Sequence, residues 1–383
     1  MSAATATHSP EDLKALTSLR FFAAQMIFLF HLRDFDPSPW ISWIPGSMRH
    51  GVSFFFVLSG FILTHAYLAQ RPFPYRRFLI ARFARLYPTV LASTLLLLLL
   101  PLNVACGQFV SPQVAALAFL AKVSMLESLI PIRGVQFAWN SVSWSISTEF
   151  FFYAAFPLLL MNLERSWAVK LLASVAAVLA LFSLGLWLRL PVADGDRTTV
   201  TLVQLGYANP FARGFEFVLG MASYLGWRRW IAPLKGSASI WTFIEIALLA
   251  ALALWLEFAA PALERNLPGP AWAWFYMSGS CWVFAILIPA FASARGKIGQ
   301  ALLLRPLVWL GEISFSFYMF HLIVMRAANF YVGDAAPALL IFALSLNLAA
   351  VNHRWVEIPA RRLLRGDVSP KPAKTSPLAP AHP

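Results

Sequence analysis

Long, almost uninterrupted apolar runs recur through most of this 383-residue chain. A helix crossing a bilayer needs about 20 apolar residues, and ten segments approach that length: 16–33, 51–69, 84–102, 142–162, 168–189, 210–227, 240–260, 271–292, 306–327 and 336–357. Only 12% of the residues are charged and 59% are hydrophobic, where a soluble domain carries roughly a quarter charged. Such a chain cannot cover itself with polar groups in water, so lipid must be its solvent. The predicted fold is all-α, a polytopic membrane bundle of about ten transmembrane helices.

Basic residues orient the bundle, because cytoplasmic loops concentrate Lys and Arg. With the N-terminus inside, the inner connections hold Arg71, Arg76, Arg77, Arg82 and Arg85, then Arg165 and Lys170, then Arg228, Arg229 and Lys235, then Arg295, Lys297 and Arg305. Arg361, Arg362, Arg365, Lys371 and Lys374 follow the last span. The outer loops carry Asp34, Asp36, Asp194, Asp196, Glu264 and Asp334 instead. The stretch 113–130 holds Lys122 and Glu127 and is read as interfacial or re-entrant. Counting it as a span would invert every later loop and spoil the pattern, so both termini are placed in the cytoplasm.

The ends of the chain fit this reading. Residues 1–17 carry Glu11 and Asp12 but only Lys14 as a base, and the first apolar run ends in His-Leu-Arg-Asp without a cleavage site. It is expected to stay as the first helix. Residues 1–366 are read as the membrane domain. Residues 367–383, with prolines at 370, 372, 377, 380 and 383 and no apolar run, are read as a disordered cytoplasmic tail. The net charge of +13 would suggest nucleic acid in a soluble protein. Here it sets topology, and no nucleic-acid partner is expected. Cys106 and Cys281 show no metal or redox spacing and read as packing residues; no metal site is expected.

A charge inside a span is costly unless it meets a cavity or a partner, so the polar residues of the spans are the informative ones. Arg20 and His31 lie 11 residues apart. That is three turns plus about 20°, which puts both on one helix face about 16 Å apart along the axis. Singly, they read as an inner anchor and an outer interfacial residue; together they mark a stripe. Ser59 and Gly60 suggest close helix approach or local unwinding beside a cavity. His65, one turn on, reads as a packing histidine. Arg82 and Arg85 share a helix face and can grip one polyanion, or simply anchor the inner end.

Glu149 needs a cation or a proton, with His31 and Arg213 as candidate partners. Arg213 and Glu216, at i and i+3, can neutralise each other. Ser314, Tyr318 and His321 share one face of the ninth span, and Glu357-Ile-Pro359 reads as a helix end with an inner anchor. Trp40, Trp43, Trp139, Trp144, Trp272 and Trp274 read as an interfacial belt or, alternatively, a platform for stacking sugars.

In order and together these pieces resemble acyltransferase family 3, the integral membrane O-acyltransferases that modify cell-surface polysaccharides. The matching elements are Arg20 and His31 with ten residues between them, Phe-Phe-x-x-Ser-Gly-Phe at 55–61, Arg82-x-x-Arg85, and Trp144-Ser-x-x-x-Glu149 with Phe-Phe-Tyr and Pro157 after it. Arg213-x-x-Glu-Phe-x-x-Gly220, Gly311-x-x-Ser-x-x-x-Tyr-x-x-His321 and Glu357-x-Pro359 complete them. Glu312 and Phe315 stand where the family more often has a basic residue or tyrosine.

The resemblance implies a bacterial inner-membrane enzyme. It would take an acyl group, commonly acetyl, from cytoplasmic acyl-CoA as co-substrate, with no permanently bound cofactor. The acceptor would be a sugar hydroxyl of exopolysaccharide, lipopolysaccharide or a related surface glycan, reached from the periplasmic face. Membrane lipids, acyl-CoA, a surface glycan or lipid-linked saccharide, and a polysaccharide-biosynthesis complex are the implied partners. The periplasmic esterase-like domain of some members is expected to be absent.

Under the same resemblance Arg82 and Arg85 would hold the CoA phosphates, with Arg20 on the route inward. His31 would act as general base or as transient acyl-imidazole nucleophile, oriented by Glu149. Ser59 and amides near Gly60 would bind the oxyanion. Arg213, Glu216, Ser314, Tyr318 and His321 would support the pocket. The main rival is a transporter or flippase of a glycan or lipid-linked precursor, although neither inverted repeats nor matched broken helices are visible. A scaffold or sensor in a polysaccharide-export complex is a second rival. A membrane acyltransferase pairing an embedded histidine with an upstream asparagine is a third, against which the Arg20–His31 spacing argues.

Overall fold

A computed structural model describes residues 13–36, 38–70, 72–101, 104–105, 111–333 and 336–365. Arg71, Cys106, Asp334 and the tail 367–383 lie outside the described residues. Among the described residues there are helices and no strands. The principal helices are α1 Lys14–Leu32, α2 Gly51–Tyr67, α3 Tyr75–Leu96, α4 Pro112–Val123, α5 Trp144–Leu160, α6 Leu163–Trp187, α7 Pro210–Gly226, α8 Ala238–Leu254, α9 Gly269–Ser278, α10 Cys281–Ala292, α11 Arg305–Val332 and α12 Ala338–Asn352.

Among the described residues eight helical segments are long and apolar enough to cross a membrane: Lys14–Leu32, Gly46–Tyr67, Tyr75–Leu99, Leu163–Trp187, Ala238–Asn266, Gly269–Ala292, Arg305–Val332 and Ala338–Leu364. The other two expected spans, 142–162 and 210–227, correspond to α5 and α7, each of 17 residues. At about 1.5 Å per residue each covers roughly 26 Å before its flanking turns. The third span begins nine residues earlier than expected, at Tyr75. Arg82 and Arg85 therefore lie within α3 rather than at its entrance. Glu357 does not close the last span: a π turn, His353–Glu357, leads into a further helix, Ile358–Arg365.

The segment read as interfacial or re-entrant contains α4, whose 12 residues are too few to span. Its Lys122 lies 3.8 Å from Glu127 and donates to the Gln136 carbonyl and to Ser143 Oγ. Ser143 Oγ also bonds Glu127. This knot gives the segment's charges internal partners.

Two close crossings hold the core. A methyl group on Gly60 of α2 would stand 2.0 Å from the Phe217 carbonyl oxygen, and one on Gly220 of α7 would stand 2.0 Å from the Val57 carbonyl oxygen. Each glycine therefore accepts the other helix's backbone. Gly311 of α11 meets the Thr17 carbonyl of α1 in the same way, and Ser18 Oγ nearby donates to the Leu302 carbonyl at 2.6 Å. Small residues of this kind are the usual means of close helix approach where the hydrophobic effect cannot drive association. Helices α6 and α8 sit outside this core and present Leu172, Leu179, Phe243 and Ile246 outward.

Candidate active site

A cavity of about 210 Å³ opens among α1, α2, α3, α5 and α11. Its polar lining is Thr17, Arg20, Ser59, Arg82, Arg85, Ser145, Glu149, Tyr153 and Tyr318, and its apolar wall includes Val52, Phe55, Phe56, Ile62, Leu63 and Phe315. Three guanidiniums thus face one carboxylate. Arg82 and Arg85 both reach the cavity because three residues in α3 turn through nearly one helical repeat. Arg82 lies over the rings of Phe78, Tyr153 and Tyr67 at 5.5, 5.8 and 5.9 Å, with only a long 3.5 Å approach to the Tyr67 hydroxyl. Arg20 and Arg85 make no hydrogen bond or ion pair among the described residues. Guanidiniums with so few protein partners are suited to gripping an anion.

Glu149 is placed differently from expectation. Ser59 Oγ donates to Glu149 Oε1 at 2.9 Å, and the Tyr153 hydroxyl, one turn along α5, donates to the same oxygen. Neither His31 nor Arg213 is its hydrogen-bond partner. This corrects two expected roles. Glu149 does not orient His31, and the Ser59 proton is engaged by the carboxylate rather than aimed at an oxyanion. The Gly60 amide is not an oxyanion donor either, since α2 continues unbroken through it and uses its N–H in the helix ladder. The Ser-Gly pair marks the close helix approach, not unwinding.

His31 lies at the other end of the α1 stripe, outside the cavity lining. Its Nδ1 is 3.0 Å from Nε2 of His321 on α11, with ring centroids 5.2 Å apart. His321 is fully buried, stacked on Phe317 and flanked by Phe28 and Tyr318. Its Nδ1 lies 2.7 Å from the Tyr318 carbonyl oxygen. Tyr318 thus touches both regions. Its ring lines the cavity 6.0 Å from Phe55, while its hydroxyl bonds Ser145 Oγ at 2.8 Å and the Val142 carbonyl at 3.0 Å.

Of the residues expected to support the pocket, Tyr318 lines it and His321 reaches it through Tyr318. Arg213, Glu216 and Ser314 do not line it. Arg213 and Glu216 neutralise each other behind the cavity wall, with Nε–Oε1 at 3.1 Å. Arg213 donates further to the Met277 carbonyl at 2.7 Å and lies 5.2 Å from the Phe56 ring. The pair braces Phe56 rather than facing solvent or ligand. Ser314 Oγ is taken by the Gly311 carbonyl of its own helix.

The remaining expectations divide. His65 packs against Tyr224 and Trp227, and Cys281 is buried, as packing residues should be. Trp40 and Trp43 are exposed, but Trp139 and Trp144 are buried and belong to neither a belt nor a platform. Glu357 is buried and accepts from Ser316 Oγ at 3.0 Å, with His353 Nδ1 at 3.0 Å and Arg361 beside it. Sequence reasoning missed Tyr153, Ser145 and Thr17. For Tyr153 the signal was available: it stands at i+4 from Glu149 on a helix.

The fold and this chamber define a polytopic helical membrane protein with three guanidiniums and one carboxylate lining a cavity among its helices. Residues 13–351 match the family model described as "Acyltransferase domain". The chain belongs to this acyltransferase family, and it is an enzyme of that class rather than a transporter. It is 28% identical over 389 residues to "Acyltransferase MdmB" of Streptomyces mycarofaciens, with 92% of each chain covered. It is 24% identical over 373 residues to "O-acetyltransferase OatA" of Staphylococcus aureus (strain NCTC 8325 / PS 47), covering 93% of this chain and 58% of that one. For "Peptidoglycan O-acetyltransferase OatA" of Listeria monocytogenes the identity is 23% over 389 residues, covering 94% of this chain and 57% of the relative. The chain therefore spans little more than half the length of the two OatA proteins. No solved structure matches the chain.

Proposed function

We propose that this chain transfers an acetyl group from acyl-CoA, entering from the cytoplasmic side, to a sugar hydroxyl of a surface glycan at the outer face of the bacterial inner membrane. The observation that carries the proposal is the convergence of Arg20, Arg82 and Arg85 on one cavity at the end of α1 opposite His31. Phosphates of the donor would be held by these guanidiniums, and the thioester arm would run along the α1 stripe toward His31. The relatives named O-acetyltransferases support acetyl as the acyl group and an oxygen as the acceptor atom.

His31 then removes the hydroxyl proton as the sugar oxygen attacks the thioester carbonyl. The C–S bond breaks, and the departing thiolate recovers the proton from the imidazolium. A two-step variant uses the same nitrogen as nucleophile: an acyl-imidazole forms with loss of the thiol, and the sugar oxygen then displaces the imidazole. Either route requires the cavity to extend to His31, which lies outside its lining.

The test compares surface-glycan acetyl content in a strain lacking the protein, in wild type, and in a His31→Ala strain at matched membrane levels. Purified protein is assayed in parallel for thioester turnover with a soluble sugar. Acetyl content should fall in the first and third strains. Unchanged acetylation in the strain lacking the protein would reject the glycan assignment.

A further inference from the structure

Two imidazoles in contact must share one proton at their interface, and the rest of the network decides which ring supplies it. A carbonyl oxygen only accepts, so the 2.7 Å contact between His321 Nδ1 and the Tyr318 carbonyl places a proton on His321 Nδ1. In the neutral ring the other nitrogen, Nε2, then carries a lone pair. The 3.0 Å contact to His31 Nδ1 is therefore a hydrogen bond donated by His31. His31 Nδ1 is protonated, and its Nε2 is left with the lone pair; the ring also meets the Ile27 carbonyl one turn back on α1.

From this chain of bonds we infer that His321 is the positioning residue that fixes His31 in its Nδ1–H tautomer and presents Nε2 as the reactive nitrogen. The inference rests on the proposed role of His31. The orienting group expected in the sequence was Glu149; the structure supplies a buried neutral imidazole instead. Its own orientation is fixed twice over. Its Nδ1 is tied to the carbonyl one turn back, and its ring is stacked on Phe317 at an interplanar angle of 14°. Among the described residues no carboxylate bonds either ring. Arg326 is the charged group that acts on His31 from α11, and it is tied to the Ala105 and Trp139 carbonyls and Ser141 Oγ. A neutral acceptor holds His31 without binding a proton of its own. When His31 becomes an imidazolium, the same bond to His321 persists, because Nδ1–H remains a donor.

Two variants and one spectrum test this. His321→Phe keeps an aromatic ring but removes the acceptor; His321→Gln keeps an acceptor near the Nε2 position. Loss of tautomer control over a catalytic imidazole costs up to about 10⁴-fold in the serine protease triad, where the orienting group is charged. For this neutral partner, His321→Phe should lower kcat about 10²- to 10³-fold while the donor KM stays within about twofold. His321→Gln should recover at least about tenfold of that loss. In wild-type protein labelled with ¹⁵N-histidine, the His31 resonances should report a protonated Nδ1 and an unprotonated Nε2 near neutral pH. An Nε2–H tautomer in that spectrum overturns the inference, whatever the variants do. So does a His321→Phe enzyme that binds acyl-CoA normally and keeps its kcat, or a Gln variant no better than Phe. If His31→Ala itself retains turnover, the proposed role of His31 fails instead, and the two failures are told apart.

Discussion

Arg20, Arg82 and Arg85 crowd three positive charges around Glu149 with few protein partners, an arrangement that a bound polyanion would relieve. A hydrogen bond to a charged group contributes about 1.5–3 kcal/mol. Arg85→Ala should therefore raise the KM for acyl-CoA about tenfold to a hundredfold and leave the KM of the sugar acceptor unchanged. Arg85→Lys should recover only part of this, because an ammonium cannot form the paired contacts of a guanidinium. Steady-state kinetics varying each substrate in turn will check it, and a rise confined to the acceptor KM would place the donor elsewhere. At this scale the sequence was only partly legible. The residue types and their faces could be read, but not their partners. Nothing in the chain says that Ser59 donates to Glu149, since that depends on how α2 and α5 cross, whereas the Tyr153 contact lies within α5 at i+4.

The α2–α7 crossing depends on Gly60 and Gly220 together. At each the added methyl would fall on backbone of the opposing helix, which cannot swing aside as a side chain can. Overpacking of this kind costs about 1–3 kcal/mol. Gly60→Ala and Gly220→Ala should each lower the thermal midpoint in detergent by several degrees. The double variant should lose less than the sum, because the first substitution already forces the helices apart. Arg213 and Glu216 follow a different rule. Removing one member of a buried ion pair costs about 3–5 kcal/mol, while replacing both by apolar residues is far milder. Glu216→Leu alone should thus be less stable than Arg213→Met with Glu216→Leu, by the same melting assay.

Elements were the most legible level. Every expected span has a helix, because apolar length is a property of contiguous sequence. The start of α3 was misjudged because Arg76, Arg77, Arg82 and Arg85 dilute its apolar character, although a helix tolerates them where they face a cavity or water. The Arg213–Glu216 spacing disclosed its internal neutralisation but not that Phe56 leans on it.

For the whole molecule, sidedness is the prediction that follows from charge. Single cysteines at position 196 and at position 229, in a chain whose Cys106 and Cys281 are replaced by Ala, should label from opposite sides of intact cells. Asp196→Cys should react with an impermeant maleimide added outside, and Arg229→Cys only after the membrane is opened. Labelling of both from outside would overturn the assigned orientation. The His31–His321 meeting also belongs to this scale. Each histidine stood out in the sequence, but not as the other's partner. Depth alone does not make two helices neighbours, however; the Gly311–Thr17 approach of α11 to α1, with Phe21 and Phe28 packed on Phe317, does that.

The two imidazoles are separated by 290 positions in the chain. A ribosome must therefore finish and release α11 into the bilayer before the first helix acquires its partner. Until then a nascent chain can bind lipid and even present arginines to a nucleotide thioester, but the histidine of α1 has nothing to hold it. If His31 acts as proposed, premature termination anywhere upstream would yield membrane-inserted fragments without transferase activity. Complementation by two separately expressed halves would succeed only where the second half carries α11.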